Sequence, residues 1–172
     1  RSSDVPPEAS VRLVIDASVA RAAGGENALH PTSKSCREFL SQVEETRHRV
    51  VFSARISAEW NKHQSRFARL WRLSMFQRGR VVLVYPKVRD DLNARIKEVA
   101  SDAQCAAIMV KDIHLIEASL ETDRVVTSLD DGVRHHFASC AAQIVEIAEV
   151  VWVNPDIIEE NKTAGENDDG IG

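Results

Sequence analysis

The chain has 172 residues, a formal net charge of −4 and 44% hydrophobic residues, the balance of one soluble globular domain with a substantial core. No apolar run approaches the roughly 18–20 residues of a membrane helix, and "RSSDVPPEAS" lacks the apolar centre of a signal peptide, so a membrane partner is not expected. The negative charge disfavours binding of polyanions by the molecule as a whole, so a nucleic-acid function needs a local basic patch.

Residues 1–10 carry two prolines and read as a flexible tail. "RLVI" (12–15) follows as a strand and runs straight into Asp16. "TSKSCREFLSQVEETRH" (32–48) spaces Cys36, Phe39, Leu40 and Val43 as a helix does. "RVVF" (49–52) is a second strand, and 53–78 has neither Gly nor Pro, which predicts one long helix stopped by Gly79. "VVLV" (81–84) is a third strand and 88–100 a helix. Two capped helices are expected next, 101–110 after a Ser/Asp start and 112–122 opened by Asp112. "RVVT" (124–127) is a strand, 131–150 holds one or two short helices, and "VVWV" (150–153) ends at Asn154-Pro155. Residues 159–172 are acidic and contain glycine, a second tail.

The strand runs are nearly continuous in Val, Leu and Ile, as in strands buried on both faces. Strands alternating with helices predict an α/β domain over 11–153 with a mostly parallel sheet. Cys36, Cys105 and Cys140 are odd in number and widely spaced, which argues for buried or half-buried thiols in a reducing, cytoplasmic setting.

Ligands gather at the carboxyl ends of strands in open α/β sheets. Asp16 ends the first strand and Asp130 follows "RVVTSL", so two aspartates are sent to one sheet edge, though either alone could cap a helix. Glu59 lies early in the helix leaving the second strand, and Asp112 begins the helix leading back to Asp130. Two carboxylates about 4 Å apart repel by roughly 1 kcal/mol in water and about 4 at an effective dielectric of 20. A cluster of four therefore needs protons or a cation, and all-oxygen donors select Mg²⁺ or Mn²⁺.

"LVIDASV", Glu59, "DIHLIEASL" and "RVVTSLDD" in this order resemble the PIN-domain family, whose best-populated branch is the VapC-type toxin ribonucleases. The resemblance spans about 11–153 and implies a three-layer α/β/α fold with one or two Mg²⁺ or Mn²⁺ ions and metal-dependent cleavage of RNA. Matched by position, it implies Asp16, Glu59, Asp112 and Asp130 as the metal-binding and catalytic acids, supported by Ser18 and Ser128. Asp131 rivals Asp130 for the fourth place, with the S-x-D spacing favouring Asp130. The resemblance also implies a homodimer and, for a toxin, an antitoxin partner. "TSLDDGVRHHF" and the long 53–78 segment depart from the pattern and put the toxin assignment in doubt more than membership.

At about 100° per residue, Arg55, Glu59, Lys62, Arg66 and Arg69 fall on one side of a continuous 53–78 helix. Such a cationic stripe suits RNA phosphates; the plainer alternative is a solvated face with an Arg55–Glu59 pair. His114, His135 and His136 follow the acids closely enough to serve as base or ligand, but surface or capping roles suit them as well. Two rivals stand beside the nuclease: a non-catalytic or partner-dependent binding module, and a receiver-type phosphoacceptor, which lacks its acidic pair and late lysine here.

Overall fold

The computed structural model describes residues 10–157. The tails expected over 1–10 and 159–172 lie outside these residues, apart from Ser10, whose Oγ donates to the Arg47 carbonyl. The described chain is a three-layer α/β/α fold around an all-parallel sheet of five strands in the order β3-β2-β1-β4-β5.

The strands are β1 (Arg12–Ile15), β2 (Arg49–Phe52), β3 (Val81–Leu83), β4 (Val125–Thr127) and β5 (Val151–Val153). All five lie where the continuous aliphatic runs place them. β1 is central, with Leu13 in register with Val50 on one side and Val125 on the other. Val14, Ile15, Val50, Val51 and Val126 are fully buried, as the absence of polar alternation requires.

The helices are α1 (Ala17–Ala22), α2 (Pro31–Glu45), α3 (Ala54–His63), α4 (Arg66–Gln77), α5 (Asp90–Val99), α6 (Ala103–Leu120), α7 (Asp131–Cys140) and α8 (Val145–Ala148). By packing they form two groups, α1–α4 and α5–α8, with α6 against β1 and β4 and α3 against β2. Two tryptophans hold the first group: Trp60 Nε1 donates to the Ile15 carbonyl at 2.9 Å and Trp71 Nε1 to the Leu40 carbonyl at 2.7 Å. A buried indole needs such an acceptor, and these two bonds fix α3 to β1 and α4 to α2. The thiols of Cys36 and Cys140 are buried and that of Cys105 is half-buried, as expected; burial pushes the Cys36 thiol up to about 12.

Three expectations are corrected. The single helix over 53–78 is two helices broken at Gln64-Ser65. Ser65 caps α4 by accepting from the Ala68 N–H, while its own N–H donates to the Ala20 carbonyl and the Phe67 N–H to that of Gly24. The α1 end thus takes the backbone bonds that helix continuation would have used. Gly79, at φ +68, does follow the stop of α4. The pair of helices over 101–110 and 112–122 is one helix, α6, with Asp112 in its middle rather than at a cap. Finally, burial on both faces does not extend to the outer strands, since Leu83 of β3 and Val151 of β5 are exposed at the sheet edges.

Candidate functional site

The strand order reverses direction between β1 and β4, which places a topological switch point there. The tips of those two strands are tied by a compact hydrogen-bonded knot. The Asp16 N–H donates to the Thr127 carbonyl at 2.8 Å. Asp16 Oδ2 accepts from Ser18 Oγ at 2.7 Å and from Ser128 Oγ at 3.0 Å. Ser18 Oγ in turn accepts from the Leu129 N–H, and Ser128 Oγ from the Asp130 N–H. Asp16 stands at the N-cap position of α1 yet makes no side-chain cap bond, so capping does not account for it. The two serines are its hydrogen-bonding partners.

Asp130 does cap a helix: its Oδ1 accepts from the Val133 N–H at 3.1 Å. A Cβ at Gly132 would meet that oxygen at 3.2 Å, so glycine there leaves the carboxylate room. Asp131, its rival, accepts from Asn154 Nδ2 at 3.0 Å and ties α7 to the end of β5.

Asp112 reaches the same edge from mid-α6. Its carboxyl is pushed up to about 6, first by burial and then by the charge of Asp16; Lys111 opposes, and Asp130 and Glu59 add smaller contributions upward. One half-buried acid thus senses the other three, and Asp130 rather than Asp131 is the one it senses. Glu59 is placed by its neighbour Trp60, whose bond to Ile15 sets α3 beside the tip of β1. The Glu59 carboxylate is loosely engaged by Arg55 Nε at 3.6 Å and by His63 Nε2 at 3.8 Å.

Carboxylates and hydroxyls are the donor set of a hard divalent ion, and mutual repulsion is the electrostatic state such an ion relieves. Among the described residues, however, no three His, Cys, Asp or Glu side chains stand together closely enough to hold one as they lie. The residue types fit a metal, and of the four acids Glu59 is the one engaged by cationic side chains.

His114 is half-buried with Nδ1 at 3.1 Å from the Lys111 carbonyl, and burial lowers its pKa, with Arg55 adding to that. It senses Asp16 and Glu59 and so borders the acids. His136 instead bears on Asp102 at the start of α6. Arg55, Lys62, Arg66 and Arg69 are all exposed, but they do not form one helical stripe, because the first two belong to α3 and the last two to α4. Trp60 faces the core, as its helical spacing predicts, but its positioning bond to Ile15 and that of Asn154 to Asp131 were not read from the sequence. No protein-family model matches the chain, and no curated protein does either. Among the described residues no helix is long and apolar enough to cross a membrane.

Proposed function

We propose that this chain is a PIN-like endoribonuclease dependent on Mg²⁺ or Mn²⁺. The observation carrying this reading is the Asp16 carboxylate, held by Ser18 and Ser128 rather than by a helix cap at the switch point of a parallel sheet, with the half-buried Asp112 carboxyl raised by burial and by the charges of Asp16, Asp130 and Glu59. Asp16, Asp112 and Asp130 would hold the ion, with Glu59 taking a second ion or orienting the attacking water. When bound, such an ion acidifies a coordinated water and clamps a phosphate oxygen.

The chain's own residues prepare that site. Ser18 and Ser128 hold Asp16 in one orientation, because both donate to the same oxygen. Asp112, partly protonated near pH 6, would give up its proton on taking part in cation binding. Exposed Arg55 and Lys62 near the acids, with Arg66 and Arg69 beyond the α3–α4 break, suit phosphate contacts that position a strand without reading it. Hydrolysis would leave a 5′-phosphate and a 3′-hydroxyl. A toxin role with an antitoxin and a homodimeric state extend the same resemblance.

The test is cleavage of a labelled RNA pool with Mn²⁺, with EDTA and with Asp16→Asn. The expected result is metal-dependent cutting that falls at least about a hundredfold in the variant. A second reading, a partner-dependent or non-catalytic PIN-fold module, is favoured by the engagement of Glu59 with Arg55 and His63. Folded protein that binds Mn²⁺ through Asp16 but cuts nothing would select it.

A further inference from the structure

Six of the nine exposed large apolar side chains among the described residues, Leu70, Leu73, Phe76, Leu83, Tyr85 and Val88, come from α4 and the chain through and just after β3. Leu73, Phe76, Val81 and Leu83, with Phe52 behind them, line a groove of about 470 Å³ that also touches Ser57, Arg69 and Arg72. A contiguous apolar face on an otherwise charged molecule marks an interaction surface.

The groove lies along an open sheet edge. Among the described residues β3 pairs only with β2, and the Arg80 carbonyl and the Val84 N–H are directed to that neighbour. In a parallel ladder alternate residues face opposite ways, so the N–H and C=O groups of Val81 and Leu83 point outward. Pro86 limits the usable edge to the strand itself.

The charge of this face is one-sided. Residues 65–89 hold seven Lys or Arg and no Asp or Glu, in a chain whose net charge is −4. Among the described residues, Arg78 pairs with Glu44 and Arg89 with Glu146, whereas Arg66, Arg69, Arg72, Arg80 and Lys87 have no carboxylate within ion-pair distance. Arg72 is the telling one. Its guanidinium lies 4.4 Å over the Phe52 ring and Nη1 donates to the amide oxygens of Asn61 and Gln64, all neutral groups. A half-buried cation in an apolar groove is left without a counter-charge.

We propose that the α4–β3 edge docks an extended segment of a partner protein that alternates apolar and acidic side chains and adds as a strand to β3. Its backbone pairs with Val81 and Leu83, its apolar side chains fill the groove against Leu73, Phe76 and Leu83, and an acidic side chain meets Arg72 or Arg69. A second copy of this chain is a poor occupant, because two-fold pairing would set seven cations against seven. RNA matches the charge but not the aliphatic groove or the outward peptide groups. The site is separate from the carboxylates and does not depend on their chemistry.

The test uses the full chain in EDTA, so that nuclease activity plays no part. Three fluorescent probes are titrated: a heptapeptide alternating Val or Leu with Glu, its Lys counterpart, and an oligouridine. The Glu peptide should bind at least about tenfold more tightly than the Lys peptide, shift the amide resonances of Val81 and Leu83, and slow their hydrogen exchange. Leu83→Pro removes an outward N–H without touching the β2 ladder and should weaken binding about tenfold or more, as should Phe76→Asp on α4, each with unchanged circular dichroism. Equal binding of the two peptides, or wild-type affinity in both variants, would overturn the proposal. So would tighter capture of oligouridine that Phe76→Asp abolishes, or a dimer by sedimentation that Phe76→Asp dissolves.

Discussion

The tips of β1 and β4 and the outer edge of β3 belong to one sheet and are built on opposite logics. At the first, acids influence one another's charge, and two of them, Asp16 and Asp130, are hydrogen-bonded from within by Ser18, Ser128 and the start of α7. At the second, cations and apolar rings stand open with peptide groups to spare. At the strand tips, burial and neighbouring negative charges raise the Asp112 carboxyl; at the β3 edge, the guanidinium of Arg72 lacks a carboxylate partner among the described residues. Opposite charge on one small molecule therefore carries more information than its net value of −4.

Trp60 packs against Phe52 behind the groove and bonds to Ile15 at the β1 tip, so its loss should have the largest effect. It is fully buried, sits edge-on to Phe52 at 5.0 Å and stacks on Trp71 at 6.0 Å, and holds the β1 tip through Ile15. Trp60→Ala should cost about 3–5 kcal/mol in chemical denaturation. Trp60→Phe keeps much of the packing and loses the bond to Ile15, for about 1–3 kcal/mol. If the alanine variant unfolds no more easily than wild type, α3 is held by something else and the placement of Glu59 must be argued afresh.

The knot at the acidic site comes next. Ser128 is buried, donates to Asp16 and accepts from the Asp130 N–H. Ser128→Ala leaves both groups short of a partner and should cost about 2 kcal/mol. Ser18→Ala should cost somewhat less, since Ser18 is only half-buried. Because both hydroxyls serve one oxygen, the double variant should depart from additivity by at least about 0.5 kcal/mol. Strict additivity in urea titrations would mean that the serines do not act on Asp16 together.

Asp112 offers a pH-dependent contrast. Its folded pKa of about 6 lies above the ordinary value, so the folded state holds the proton more tightly than the unfolded chain. Stability from this group is therefore greatest below about pH 4 and falls as the pH rises through about 6. Asp112→Asn removes that loss. It should stabilise the protein by about 1 kcal/mol at pH 7.5, a figure discounted for partial exposure, and by nothing at pH 4. Mn²⁺ should raise the melting temperature of wild type and leave the variant nearly unmoved. A stability gap that is constant with pH would remove the repulsion argument.

How far this was legible depends on whether the cause was local. The five strands could be read from their uninterrupted Val, Leu and Ile, a pattern that burial on both faces explains for β1, β2 and β4, whereas β3 and β5 keep Leu83 and Val151 exposed. The break at Gln64-Ser65 could not, since both residues are acceptable inside a helix; what decides it is Ala20 and Gly24, more than forty residues earlier, accepting backbone bonds. Asp112 looked like a cap because Asp is a poor helix-interior residue, and its mid-helix place makes sense only beside Asp16 and Asp130. α1 is six residues of mostly small side chains, too short to show a period. Asp16 and Asp130 were nameable from strand ends and Glu59 and Asp112 from the neighbouring helices and the family resemblance, but their mutual influence needed the strand order.

The smallest effect expected on stability is at Arg55. Its side chain is 56% exposed and its contact with Glu59 is long, so Arg55→Gln should change stability by less than about 0.5 kcal/mol. Its functional consequence has two opposing parts. Removing the cation frees Glu59 toward the other acids, which should tighten Mn²⁺ binding in calorimetry, while losing a phosphate contact should weaken RNA binding and flatten its salt dependence. Tighter metal together with weaker RNA would assign Arg55 to the substrate and Glu59 to the ion. If Mn²⁺ affinity does not move, Glu59 is not held back by Arg55, and the spacing of the acids has to be sought in α6, where Asp112 is fixed by the packing of the helix against β1 and β4.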